Sequence, residues 1–335
     1  MKYLTLDKLP KKALAKIDLQ TAFMASRCVV AAERLRLFRK LYGKEMTSAE
    51  IGRMVGIRGF RREPFLAALL GMGLLVKKGD RYRNSALADK YFVRDRSIYW
   101  TDIYSDECVE EYRAFSVLEE MLTTGRDYES IMGIKRDYYL DKMKNDYKWA
   151  RGFTHMLYHY HQPSANVLAR LVDLAKYRNL LDVGGGSGVM SMALVRRFPN
   201  LKATILDMAT VCRAAKGLIR ENKLTKRIKT MVGDMNKKIP GGYDVIMFCD
   251  SGGHIPEILK RTYNALPEGG LLILTDSFSS DDLTEPFTRL MWQLRSQKTW
   301  LTTAKEAEKN VKAAGFRIVR RRRLHDNEWL ITARR

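Results

Sequence analysis

Chemistry in this 335-residue chain is most readily sought at a histidine just past a short apolar run. Residues 244–248 have the pattern of a buried strand, and Cys249, Asp250, Ser251, Gly252, Gly253 and His254 follow. An imidazole titrates near neutral pH and can take a proton from a hydroxyl, so His254 is the candidate catalytic base. The plain alternative is a helix N-terminal residue facing water. Asp250 could touch a ligand, orient that base, or cap a turn. Of the five histidines, three others lie close together at His155, His159 and His161. His155 and His159 stand one helical turn apart and share a face. A third ligand of cysteine or carboxylate type is not evident near them, so no metal is expected. Their alternatives are pocket-lining imidazoles and structural side chains.

A second set of residues is suited to holding a ligand. Asp182 precedes glycines at 184, 186 and 188, between the strand-like Leu180, Leu181 and Val183 and the helix-like residues 190–195. A glycine turn from strand to helix lets backbone approach a ligand at the carboxyl edge of a parallel sheet. A dinucleotide fingerprint needs its third glycine where this chain has Val189, and no P-loop lysine follows. The turn therefore suits a nucleoside without a pyrophosphate, and S-adenosyl-L-methionine is the leading candidate. The next strand, 202–208, ends at Asp207 and Met208, where a carboxylate can accept both ribose hydroxyls. Strand 228–232 runs into Gly233, Asp234 and Met235. Asp234 is placed to accept from an adenine amino group, and Met235 to lie on the base. Met208 and Cys249, beside these strand ends, complete the cofactor set.

The elements that must position these groups fall into two kinds. Residues 20–42 have the pattern of an amphipathic helix, and Thr47 to Glu50 form a capping box opening a short helix that stops at Gly56. A helix over 62–70 and a hairpin over 74–83 follow, which together describe a winged helix. The stretch 86–162 is predicted helical throughout. From 163 onward, strand and helix alternate. The last two strands, near 317–321 and 329–332, are joined too closely for a crossover and must pair antiparallel. The division read from sequence is 1–100 for the winged-helix domain, 101–162 for a helical connecting layer and 163–335 for the cofactor-binding domain.

The formal net charge is +22 and is spread unevenly: residues 1–100 hold 22 basic and 9 acidic side chains, while 101–150 hold 7 and 12. A basic surface admits nucleic acid, an anionic membrane or an anionic small substrate as partner, or simply a solvated face. No apolar run reaches membrane-spanning length, and the first residues lack a signal-peptide core. Four scattered cysteines without ligand spacing are read as reduced thiols, and the cytoplasm is the expected compartment.

Laid out this way, the chain resembles the small-molecule O-methyltransferases with an N-terminal winged-helix dimerisation domain, of the plant phenolic and bacterial polyketide types. Residues 181–188 match that family's cofactor loop, Gly233-Asp234-Met235 its adenine-contact motif, residues 265–270 the turn before its fifth strand, and Ala314-Gly315-Phe316 the turn before its sixth. The resemblance implies an α/β fold of class I methyltransferase type, a Rossmann-like sheet with an antiparallel last strand. It also implies a homodimer formed through the N-terminal domain, which pairs subunits rather than reading nucleic acid. The helical layer would close over a small-molecule substrate, with His155, Met156, His159, Met291 and Trp292 as pocket walls. One departure stands out. The family carries Leu-His-Asp-Trp after its fourth strand, and an ungapped match puts Gly253 where that histidine belongs, one place before His254.

The leading expectation is methyl transfer to a small aromatic or conjugated metabolite, at oxygen by family default and at carbon as an open alternative. The competitors are an RNA or DNA methyltransferase using the basic surface, and a cofactor-binding protein that no longer methylates. No Asn-Pro-Pro-Tyr tetrapeptide follows the fourth strand, which counts against the first competitor.

Overall fold

Residues 22–41 do not form the one long helix that their apolar pattern predicts. Helix α1 (Ala22–Arg34) ends at Leu35, and Arg36 takes a left-handed backbone with φ +57° before α2 (Leu37–Leu41) begins. The bend turns Leu37, Phe38 and Leu41 inward, where all three are buried, and Phe38 stacks on Phe92 with centroids 4.7 Å apart. Burying these side chains outweighs the cost of one left-handed arginine, which is of order 1–2 kcal/mol. The computed structural model describes residues 4, 6–94, 108–134, 138–295, 302–325 and 328–335. The chain divides into two units, Met1–Tyr112 and Arg113–Arg335.

The first unit continues as the sequence predicts. Thr47 accepts from the Glu50 amide and Glu50 answers the Thr47 amide, opening α3 (Ser48–Val55), which stops at left-handed Gly56. Helix α4 (Arg62–Gly71) leads to a hairpin of β2 (Leu75–Lys78) and β3 (Arg81–Asn84). A two-residue strand β1 (Met46–Thr47) pairs with β3, giving the order β1-β3-β2. Ile51, Val55, Leu66, Leu69, Leu74 and Tyr82 pack with the bend to form the core of this unit.

The second unit begins with helices, including α5 (Tyr147–Tyr160) and α6 (Gln162–Leu171). Of the stretch predicted helical, 95–107 and 135–137 lie outside the described residues. A seven-stranded sheet follows: β4 (Asn179–Val183), β5 (Lys202–Asp207), β6 (Ile228–Val232), β7 (Val245–Cys249), β8 (Leu271–Ser277), β9 (Arg317–His325) and β10 (Glu328–Arg334). Their order is β6-β5-β4-β7-β8-β10-β9, and β10 runs antiparallel to both neighbours, as expected for a closing hairpin. Alternate residues serve opposite faces. Leu180, Val245, Met247 and Ile273 join a core with α6 and α7 (Val189–Arg197), while Leu181, Val183, Ile246, Phe248 and Leu272 pack on α9 (Pro256–Ala265). Both faces are covered, which is why these strands read as continuous apolar runs. Helix α8 (Ala209–Glu221) follows β5, α10 (Phe287–Arg295) follows β8, and α11 (Ala304–Ala313) precedes β9.

Candidate active site

Backbone bonds between neighbouring strands bring four loops out at one edge of the sheet. The Gly184 amide donates to Leu206 O (2.8 Å), the Gly233 amide to Asp207 O (3.1 Å), and the Asp250 amide to Thr275 O (3.0 Å). All are at the carboxyl ends of parallel strands, the edge where such sheets take ligands.

At the glycine turn, Gly188 has φ +73°, and a Cβ there would stand 2.3 Å from Ile205 Cδ1, so only glycine lets α7 start this close to β5. Gly186 is also left-handed, but a Cβ on it would meet open space, which leaves the turn free to receive a ligand. Its amide donates to Asp207 Oδ2 (2.9 Å), and the Met208 amide donates to Oδ1 (2.7 Å). Burial nevertheless raises the Asp207 carboxyl above its ordinary range, with these two bonds working against the rise. Each of its oxygens keeps a further lone pair for a hydroxyl.

Asp182 lies under the turn rather than open to the cleft. It is 1% exposed, and a Cβ on Gly185 would stand 2.5 Å from its carboxyl carbon. Ser191 donates to its Oδ2 (2.7 Å), while Oδ1 finds no partner among the described residues. Burial pushes this carboxyl up to about 7, against the Ser191 bond. Asp234 is exposed, and its Oδ1 accepts from the amide and side chain of Asn236 (2.9 and 3.1 Å). Met235 is half-buried against the core that includes Leu206, and Met208 packs with Met143, Trp149 and Phe153. Cys249 is half-buried at the end of β7, and burial pushes its thiol well above the usual range.

The loop after β7 explains the displaced histidine. A Cβ on Gly253 would stand 2.4 Å from Phe248 Cγ, so that position accepts no side chain, and the imidazole comes from the next residue. His254 Nδ1 lies 3.2 Å from Asp276 Oδ2, at the end of β8, and its side chain remains 12% exposed. Phe278 meets the imidazole edge to face at 5.6 Å, and Asn310 of α11 donates to His254 O (3.3 Å). On its other oxygen, Asp276 pairs with Arg289 Nη1 of α10 (3.2 Å). Asp250, in a left-handed backbone with φ +52°, is reached by solvent although ringed by protein atoms. Its carboxyl and that of Asp276 act on each other's ionisation. Burial, then the charge on Asp276, pushes Asp250 well up. Burial opposes ionisation of Asp276 as well, but His254, Arg289 and Asp250 together hold it down to about 2.

The other predicted pocket residues lie on two helices, His155, Met156 and His159 on α5 and Met291 and Trp292 on α10. His155 is buried and lines a cavity of about 330 Å³ with Tyr147, Arg151, Arg213, Arg220 and Glu221, between α5 and α8. Burial holds both His155 and His159 below their ordinary value. Met156 is 5% exposed, within the protein interior, Met291 is half-buried, and Trp292 on α10 is half-exposed. The residues not singled out in sequence are Asp276, Arg289 and Glu328. Asp276 carried a usable signal, since it ends an apolar strand just as Asp207 does.

The O-methyltransferase domain family matches residues 115–317. The chain is similar to 3-hydroxy-5-methyl-1-naphthoate 3-O-methyltransferase of Streptomyces sahachiroi, 28% identical over 278 residues, covering 80% of this chain and 78% of that one. It is also similar to L-tyrosine C(3)-methyltransferase of Streptomyces lavendulae, 27% identical over 261 residues, covering 75% and 71%. The solved structure "PigF with SAH" has the same fold, with a TM-score of 0.85 at 21% identity, covering 96% of this chain and 99% of that one.

Proposed function

The chain belongs to the O-methyltransferase domain family, so methyl transfer from S-adenosylmethionine is its chemistry, and we propose that the acceptor is a hydroxyl on a small aromatic metabolite. The observation that carries the choice of hydroxyl is the pairing of His254 with Asp276 at the same sheet edge as the glycine turn. The bound donor supplies an activated methyl group on a sulfonium. The residues at the turn fit it: Gly186 faces open space, and Asp207 ends its strand beside that space. In this reading Asp207 holds the ribose hydroxyls, Asp234 and Met235 the adenine, and Met208 and Cys249 border the nucleoside. Glycines 184, 186 and 188 let the backbone close on it, and Asp182 supports the turn from below.

His254 would take the acceptor's proton. An imidazole whose Nδ1 faces a carboxylate at 3.2 Å keeps Nε2 for that task, and a developing imidazolium is stabilised by the ionised Asp276. Arg289 keeps Asp276 charged and in place. Met291 and Trp292, on the same helix as Arg289, are proposed as acceptor walls; Met156, His155 and His159 would shape the layer behind them.

We further propose that the first unit is a winged helix that pairs two copies of the chain. Support comes from the family resemblance and from exposed Leu19, Phe23 and Met24 at the start of α1. The four cysteines are free thiols, which favours a reducing compartment, the cytoplasm. Among the described residues, no helix is long and apolar enough to cross a membrane.

Calorimetric titration with S-adenosylhomocysteine tests the cofactor reading. Asp207→Ala is expected to bind about tenfold more weakly or worse, the loss of roughly one charged hydrogen bond. Unchanged affinity would remove Asp207 from the site.

A further inference from the structure

At the same sheet edge lies a group of ligating atoms that methyl transfer does not call for. One imidazole nitrogen of His161, one oxygen of Asp250 and one oxygen of Glu328 lie within 4.8 Å of one another. They come from three separate elements: the junction of α5 and α6, the end of β7, and the first residue of β10. We propose that these three side chains bind one divalent first-row transition-metal ion, of the zinc or manganese kind.

Several independent observations support this. The Nδ1 atom of His161 is sealed from solvent and finds no hydrogen-bond partner among the described residues. A buried polar atom left without a partner asks for a water or an ion. The ring is also held in place, since Tyr160 meets it edge to face at 4.8 Å. Ser164 donates to Glu328 Oε2 at 2.5 Å, the kind of outer contact that fixes a ligating carboxylate. Asp250 is held in a left-handed backbone, a conformation that non-glycine residues keep mainly where the surroundings demand it.

One nitrogen and two carboxylates suit zinc, manganese or ferrous ion better than copper(I), which prefers sulfur, or magnesium, which prefers oxygen alone. Bonds of about 2.1 Å would draw the three atoms together with modest side-chain rotation. Asp250 also contacts Asp276, so the ion would share a carboxylate neighbour with the His254 pair. The proposal itself is one of metal binding and does not depend on methyl transfer.

The full chain, stripped with a chelator and dialysed, would be titrated calorimetrically with Zn²⁺, and with Mn²⁺ followed by electron paramagnetic resonance. One ion per chain is expected, with affinity at least tenfold weaker in His161→Ala and Glu328→Gln, each checked for folding by circular dichroism. Asp250→Asn provides a third variant should either of these fail to fold. His155→Ala/His159→Ala serves as the control, because that pair could hold zinc adventitiously, and it should leave the stoichiometry unchanged. The proposal is overturned if the wild-type chain takes up no more ion than His161→Ala. It is equally overturned if uptake is lost in the His155/His159 control instead.

Discussion

Asp182 is the residue whose environment makes the clearest claim about pH. A folded pKa of about 7 against an ordinary 3.8 means that the native state holds this proton more tightly than the unfolded chain. The stability this contributes is fully present below about pH 3.8 and is lost as pH rises through about 7, a change of about 4 kcal/mol. Asp182→Asn should flatten the fall in urea-unfolding stability between about pH 4 and 7; an unchanged slope would mean that Asp182 is ionised in the fold. His254 makes a kinetic claim. His254→Ala should lower kcat on a phenolic acceptor by about 100-fold or more while leaving S-adenosylhomocysteine affinity unaltered, measured by steady-state rates and calorimetry. Sequence reading found Asp182, Asp207 and Asp234 because each sits at or just past a strand's apolar run. It could have found Asp276 by the same rule. Glu328 was beyond its reach, because that residue begins a strand and reaches the edge only through the antiparallel register Glu328↔Ser277.

At the scale of elements, local signals that close within a few residues were the readable ones. Thr303 and Glu306, three residues apart, form a capping box just as Thr47 and Glu50 do, and α11 starts where they place it. Thr303→Ala should cost about 1 kcal/mol, seen as a Tm lower by a few degrees in a thermal melt. The strands were readable for a related reason: burial on both faces writes itself as an unbroken apolar run. The bend at Arg36 was not. Its cause is the packing of Leu37, Phe38 and Leu41 against residues up to Phe92, and no local pattern carries that. The direction in which His155 and Met156 face was not readable either, since they share a helix with many apolar positions and only the packing of α5 on α8 decides it.

Over the whole molecule, the +22 charge includes one run of four consecutive arginines. The run Arg320 to Arg323 lies on β9, the edge strand, where charge protects against sheet-to-sheet pairing. Two of the four, Arg321 and Arg323, lie over Trp329, and Arg321 also pairs with Glu308 at 2.8 Å. Association is expected through α1 instead. Phe23→Asp combined with Met24→Asp should convert a dimer to a monomer by light scattering, since both side chains are more than half exposed and neither is needed for the core. The reversed final strand has an effect of its own. A sheet running one way throughout would offer its working edge nothing but the tails of strands; here the hairpin delivers the head of one. Grafting that hairpin from a relative should redirect which acceptor is chosen while the nucleoside grip, built entirely from earlier crossovers, stays as it was.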